Sequence, residues 1–204
     1  MVVAGHNGDS ETVRAHIADP DPSVRSSVIS ALVRLGGLRD VDLVAALDDG
    51  GTARRAIELS AHHGLDVTAI DDRLLAFVAD ADADLAEMAV WALGERWQEC
   101  GDEPGCAAVL RVVESAARHH EDALVREAAV AALGAIGATT SVPVIIDAMN
   151  DKATVRRRAV IALAPFDGPE VEAALMSARS DRDWQVRQAA EDLSAADRPE
   201  DVPR

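Results

Sequence analysis

The chain has 204 residues, 49% of them hydrophobic and only 2% aromatic, and a formal net charge of −16 from 36 acidic against 20 basic side chains. That balance argues against general binding to nucleic acid or to an anionic membrane, both of which need a basic footprint. The apolar stretches fall short of the ~20 residues of a membrane helix, and an apolar complement of mostly Ala, Val and Leu suits thin, closely approaching helical layers.

At the start, Met1-Val2-Val3-Ala4-Gly5 is too short and too uncharged for a signal peptide, so a cytoplasmic location is expected. Val13 to Ile17 reads as a short apolar helix. Asp21-Pro22 then offers a capping residue ahead of an early proline. Val24-Arg25 opens a phrase that ends Ala31-Leu32-Val33-Arg34-Leu35-Gly36, and the phrase recurs down the chain. Its fullest copy runs from Val125 to Gly137. Looser copies run Leu85 to Trp97, Val155 to Asp167 and Val186 to Arg198, and a degraded one runs Thr52 to Gly64.

With the first residue of each copy as position zero, zeros fall at 24, 52, 85, 125, 155 and 186. Positions 0, +4, +7, +8 and +11 are mostly apolar, the 3.6-residue period of a helix with one buried face. Recurrence at roughly 30 residues means stacked helical pairs. In the second copy Gly64 fits if zero is Thr52, whereas Ile57 and Arg54 fit if it is Ala53, so its register stays open.

A shorter apolar helix precedes each copy: Val13 to Ile17, Val41 to Leu47, Arg73 to Val78, Ala107 to Ala117, Val144 to Met149 and Val171 to Ala178. Ser141 and Asp167 stand before early prolines as capping residues. Gly36, Gly64 and Gly137 sit where a left-handed C-terminal cap belongs. The longest interval holds an insertion, Gln98 to Gly105. It is flanked by Cys100 and Cys106, read as two reduced thiols in a turn, with a redox-sensitive disulfide or half a metal site as alternatives. The tail from Asp197 to Arg204 carries two prolines and is expected to fray.

The phrase V-R-x-x-A-x-x-A-L-G resembles HEAT repeats, specifically the short phycobilin-lyase-like variety, from about Asp19 to Leu193. The resemblance implies an all-α fold, a right-handed α-solenoid of about six HEAT-like helical pairs. It reads as a single repeat domain over 1–204, with repeats at approximately 9–36, 39–64, 66–97, 104–137, 140–166 and 168–196. In such proteins Arg25, Arg126, Arg156 and Arg187, each one place after zero, would form a structural ladder with acids a few positions earlier; Ala86 breaks it. The second helices would line a concave groove.

Positions +2, +6 and +9 point away from the buried stripe. They single out Glu87, Trp91, Glu127, Arg157 and Ile161 as candidate groove residues. Trp91 is one of three tryptophans and sits where a solvated residue is expected. It reads either as a binding anchor or as a lid over the neighbouring repeat. Arg157, within Arg156-Arg157-Arg158, is the best candidate for an anionic group on a ligand. Trp97 is expected against the insertion and Trp184 at the last interface.

The turns carry many carboxylates, which read as helix N-caps or as a docking edge for a basic partner. No loop has the ligand spacing of a calcium site. His62-His63 and His119-His120 are adjacent pairs that point about 100° apart on a helix. HEAT-like deoxyhypusine hydroxylases carry His-Glu pairs on repeat helices, and the fourth copy has Arg126-Glu127 there instead. No catalytic residue, metal or cofactor is assigned, and the balance leans away from an enzyme. The leading reading is a scaffold or adaptor that binds a protein or peptide in its groove. The alternatives are a lyase or lyase subunit of the phycobilin-lyase-like class and, further off, a nucleic-acid-binding HEAT-like glycosylase.

Overall fold

The structure, a computed structural model, describes residues 10–62 and 67–196. Every regular element among them is helical. In chain order these are α1 (Ser10–Arg14), α2 (Pro22–Arg34), α3 (Asp40–Leu47), α4 (Ala53–Ser60), α5 (Val67–Phe77), α6 (Ala83–Arg96), α7 (Ala107–His119), α8 (Ala123–Ile136), α9 (Val142–Asp147), α10 (Ala153–Ala162), α11 (Pro169–Ala178) and α12 (Trp184–Ala196). Short 3-10 turns at Pro104–Cys106, Thr139–Ser141 and Ala148–Asn150 complete the set. The recurrent phrase falls on the even-numbered helices, each preceded by an odd-numbered partner, so the helices form six pairs. The chain divides into two compact units, Met1–Arg96 and Trp97–Arg204, at the head of the expected insertion.

The apolar period explains which faces are buried. On α8 the buried residues are Val125, Ala129, Val130, Ala132, Leu133 and Ile136, which are positions 0, +4, +5, +7, +8 and +11. Each large aliphatic side chain taken fully out of water contributes about 1.5–3 kcal/mol. At the end of the second unit, Val160, Ala178, Val186 and Ala190 form one cluster, flanked by Met149, Leu175, Ala189 and Leu193. Position +5 is buried and aliphatic at Ile29, Ile57, Val90, Val130 and Val160. In the last copy it is Glu191, which is exposed.

Burial settles the register of the second copy. Ala53, Ile57, Ser60 and Ala61 are buried, as zero at Ala53 would require, but so are Thr52 and Ala56. Zero at Ala53 would put the exposed Glu58 at +5, where the first, third, fourth and fifth copies bury an aliphatic residue. With zero at Thr52 that place is Ile57, so zero is Thr52. Its hydroxyl donates to the Ala46 carbonyl at 2.8 Å, which is how a polar residue occupies that buried place.

The helix ends follow local chemistry. Asp21 caps α2 by accepting from the Ser23 N–H at 2.9 Å, and Asp122 caps α8 by accepting from the Leu124 N–H at 2.7 Å. Gly36 and Gly137 take φ of +64° and +74°, the left-handed region that favours glycine. Two expected caps fail. Ser141 caps nothing, because its hydroxyl donates instead to the Glu114 carboxylate at 2.6 Å. The residue before Pro169 is Gly168, not Asp167, and it offers no side chain to cap α11. The first helix ends at Arg14, since His16 and Ile17 hydrogen-bond three residues back instead of four. Gly64, His63, the Met1–Gly5 start and the Asp197–Arg204 tail lie outside the described residues.

Gly134, at position +9 of the fourth copy, is covered by α10. A Cβ there would fall 2.9 Å from both Cα and Cβ of Ala162 and 3.0 Å from its carbonyl oxygen. Its missing side chain is what lets α8 approach α10.

The insertion is an ordered clasp. Cys100 and Cys106 are joined in a disulfide with their Cα atoms 6.6 Å apart, so the expected reduced thiols are replaced by a bond that this separation allows. The Trp97 ring lies 3.6 Å from the place a Cβ on Gly105 would take. The N–H groups of Glu99 and Gly101 donate to the Ala135 and Ile136 carbonyls at 2.9 and 2.8 Å, serving the open end of α8. The Asp102 carboxylate accepts from the hydroxyls of Thr139 and Thr140 at 2.6 and 3.0 Å and from both backbone N–H groups.

Candidate functional site

The arginine after zero has one geometry in three of its four occurrences. Arg126 donates from Nε and Nη2 to the two Asp151 oxygens at 2.6 and 2.8 Å. Its Nη1 donates to the carbonyls of His120 and Glu121. Arg25 does the same with Asp49 at 2.7 and 3.1 Å, and Arg156 with Asp181 at 2.9 and 2.8 Å. The acids expected a few positions earlier are not the partners. The preceding turn supplies carbonyls, and the carboxylate comes 24 or 25 residues later, in the next repeat. Among the described residues Arg187 holds carbonyls alone, of Asp181 and Arg182. Bidentate pairing of this kind fixes orientation as well as charge.

Where Ala53 and Ala86 leave that position without a guanidinium, the first unit uses other pairs. Arg73 grips Asp48 through two hydrogen bonds of 2.8 Å. Arg96, nearly buried, donates to Asp71 at 2.7 Å and to the Ser60 carbonyl. Hydrogen bonds from Arg25, Arg126 and Arg156 hold the Asp49, Asp151 and Asp181 carboxyls below the usual carboxylate range. Much of the turn acidity therefore ties repeats together or begins helices. Asp80 and Asp82 accept from N–H groups two residues on, as do Asp181 and Asp183.

The second helices carry the candidate contact surface. In the second unit a cleft of about 310 Å³ opens between α10 and α12. Arg157 and Ile161 line one wall, and Trp184, Gln188, Asp192 and Leu193 line the other. Ile161 is 37% and Trp184 64% exposed. Arg157 is exposed and makes no ion pair among the described residues, while Asp192 accepts from Gln188 at 2.8 Å. Apolar walls with a few convergent polar groups are the usual makeup of a ligand site. Glu127 is half-buried and faces Arg158 at 3.4 Å, so its charge is partly answered.

In the first unit Trp91 is 37% exposed. The His62 ring meets it edge-on, with centroids 5.9 Å apart and an 83° interplanar angle. Glu87 is half-buried one turn earlier on α6. The structure thus joins Arg157 and Ile161 in one cleft and places Trp91 with Glu87 on a helix of the other unit.

Trp184 departs from expectation: it is not packed into an interface. It is the first residue of α12, two places before the phrase begins, outside the positions that the periodicity marks as facing either way. His62, in the turn after α4, drew notice in the sequence only as half of a histidine pair, and its contact with Trp91 had no signal there.

A family model described as HEAT repeats matches residues 70–164. That stretch, a little under half of the chain, is similar to HEAT repeats. Over a longer span, a designed armadillo repeat protein, YIII(Dq)4CqI, aligns with 92% of this chain and 98% of its own at a TM-score of 0.63 and 19% identity. A second, designed armadillo repeat protein YIII(Dq.V1)4CPAF in complex with peptide (KR)4, aligns with the same coverage at 0.62 and 19%. A structure titled only as an engineered protein reaches 0.56 at 19% identity, covering 92% and 97%. No curated protein matches. At such identities the likeness establishes the fold, an α-solenoid of the armadillo and HEAT type. No helix among the described residues is long and apolar enough to cross a membrane.

Proposed function

We propose that this HEAT-repeat chain is a binding scaffold that holds a segment of another protein against α10 and α12. The observation that carries the reading is the cleft itself, where Trp184 and Ile161 lie open beside the exposed Arg157. Exposed tryptophan at a concavity is costly in water and is the residue type that dominates binding energy at interfaces. The volume suits one or two side chains better than a large cofactor. An apolar side chain of the partner would sit on Ile161 and Leu193 against the indole, and polar neighbours would meet Arg157 and Asp192. A similar fold carries a peptide in the (KR)4 complex named above, which supports a peptide-sized ligand. Trp91 and His62 offer a second contact point on the first unit.

The test is capture of partners with wild type, Trp184→Glu and Trp91→Glu side by side, followed by titration of a peptide cut from the captured partner. Loss of binding with Trp184→Glu, helicity being unchanged, is expected. Undiminished capture by Trp184→Glu would remove the cleft from the binding surface.

A further inference from the structure

The insertion 98–105 interrupts the repeat spacing and is more highly organised than a connection needs to be. It meets two helix ends. Its N–H groups at Glu99 and Gly101 serve the last carbonyls of α8, and its Asp102 carboxylate serves the start of the Thr139–Ser141 turn through four hydrogen bonds. The loop is held in place against a local preference: Glu99 has a φ of +59°, in the left-handed region where a side chain is disfavoured. One covalent bond closes this clasp, between a half-buried Cys100 and a fully buried Cys106.

We propose that the Cys100–Cys106 pair is a redox latch: oxidised, it seats the loop on the α8 end and the Thr139–Thr140 turn; reduced, it lets the loop leave them. The chemistry balances with a dithiol reductant. A thiolate of the reductant attacks the more accessible Cys100 Sγ, the S–S bond breaks, and Cys106 leaves as a thiolate that takes a proton. The second thiol of the reductant then displaces Cys100, which is released as a thiol while the reductant closes its own disulfide. Two electrons and two protons pass to the chain.

The consequence is local. Without the bond the loop regains chain entropy, and its six hydrogen bonds compete with water. The ends of α8 and of the Thr139–Ser141 turn lose their partners together, while the aliphatic face of α8 stays buried.

The experiment is amide hydrogen exchange on the full chain, before and after treatment with dithiothreitol, with thiols titrated in parallel. Protein equilibrated with oxidised glutathione should show no free thiol and protected amides at Glu99, Gly101, Thr139 and Thr140. Reduction should release two thiols and speed exchange at these four amides roughly ten- to hundredfold, leaving Ala129 to Leu133 unchanged. Cys100→Ser should behave like the reduced protein without added reductant. Equal exchange in both redox states overturns the latch, and so do two thiols that resist oxidation by glutathione. Protection lost along the whole of α8 also overturns it, because the bond would then hold the unit and not the loop.

Discussion

Arg126 and Asp151 are joined by two parallel hydrogen bonds of 2.6 and 2.8 Å. The same guanidinium also holds the turn before its own helix through the carbonyls of His120 and Glu121. One side chain therefore positions the beginnings of two consecutive second helices, α8 and α10. Arg25 and Arg156 repeat the arrangement one ladder step at a time.

Asp151→Ala should be costly because Arg126, only 14% exposed, keeps its charge and loses its partner. A loss of about 2–3 kcal/mol is expected, read as a lower midpoint in urea. Replacing Arg126 and Asp151 together by apolar residues should cost less than the sum of the single changes.

Acid should weaken the fold over a defined range. Burial pushes the Asp42 carboxyl up, but hydrogen bonds from Arg39 and Arg14 outweigh it and bring the pKa down to about 2. Asp49, Asp151 and Asp181 are lowered chiefly by their arginine hydrogen bonds. A carboxyl lowered on folding stabilises fully above its unfolded value near 4, and the contribution is lost as pH falls through the folded value. Helicity followed by circular dichroism at fixed mild denaturant should hold above pH 5 and fall between about pH 4 and 2. Asp42→Asn should show a flatter acid limb.

Gly134→Ala should separate α8 from α10. The added Cβ would lie 2.9 Å from Ala162 backbone and side-chain carbons, and neither belongs to a flexible side chain. A cost of about 1–3 kcal/mol follows from overpacking. Thermal denaturation should show it, even though alanine is the better helix former at an exposed site.

Glu99→Gly tests the backbone of the insertion. Glycine relieves the φ of +59° but loses more entropy on folding, so a net gain of about 0.5 kcal/mol is expected. A lower denaturation midpoint would mean that the Glu99 side chain contributes a contact worth more than the strain.

The pairing of helices was legible because +4, +7 and +8 are mostly Ala or Leu in the second helices. Asp21 was legible as a cap from the proline beside it. Ladder partners were not, because a pair such as Arg156 and Asp181 is set by how repeats stack, and nearer acids such as Asp151 compete for attention in the sequence. Ser141 illustrates the same failure, since a half-buried carboxylate from Glu114 took the hydroxyl that a local rule assigned to a helix end. Trp184 fell outside the period, so no face could be assigned to it.

Glu191 sets α12 apart from the other second helices. Every earlier second helix presents an aliphatic residue at that register, and such a stripe is an invitation to one more layer. A carboxylate, with exposed Gln188 and Asp192 beside it, would have to be stripped of water to accept one. Stacking of a further layer on that face of α12 is thereby discouraged, and Glu191→Val would be the shortest route to making the face adhesive.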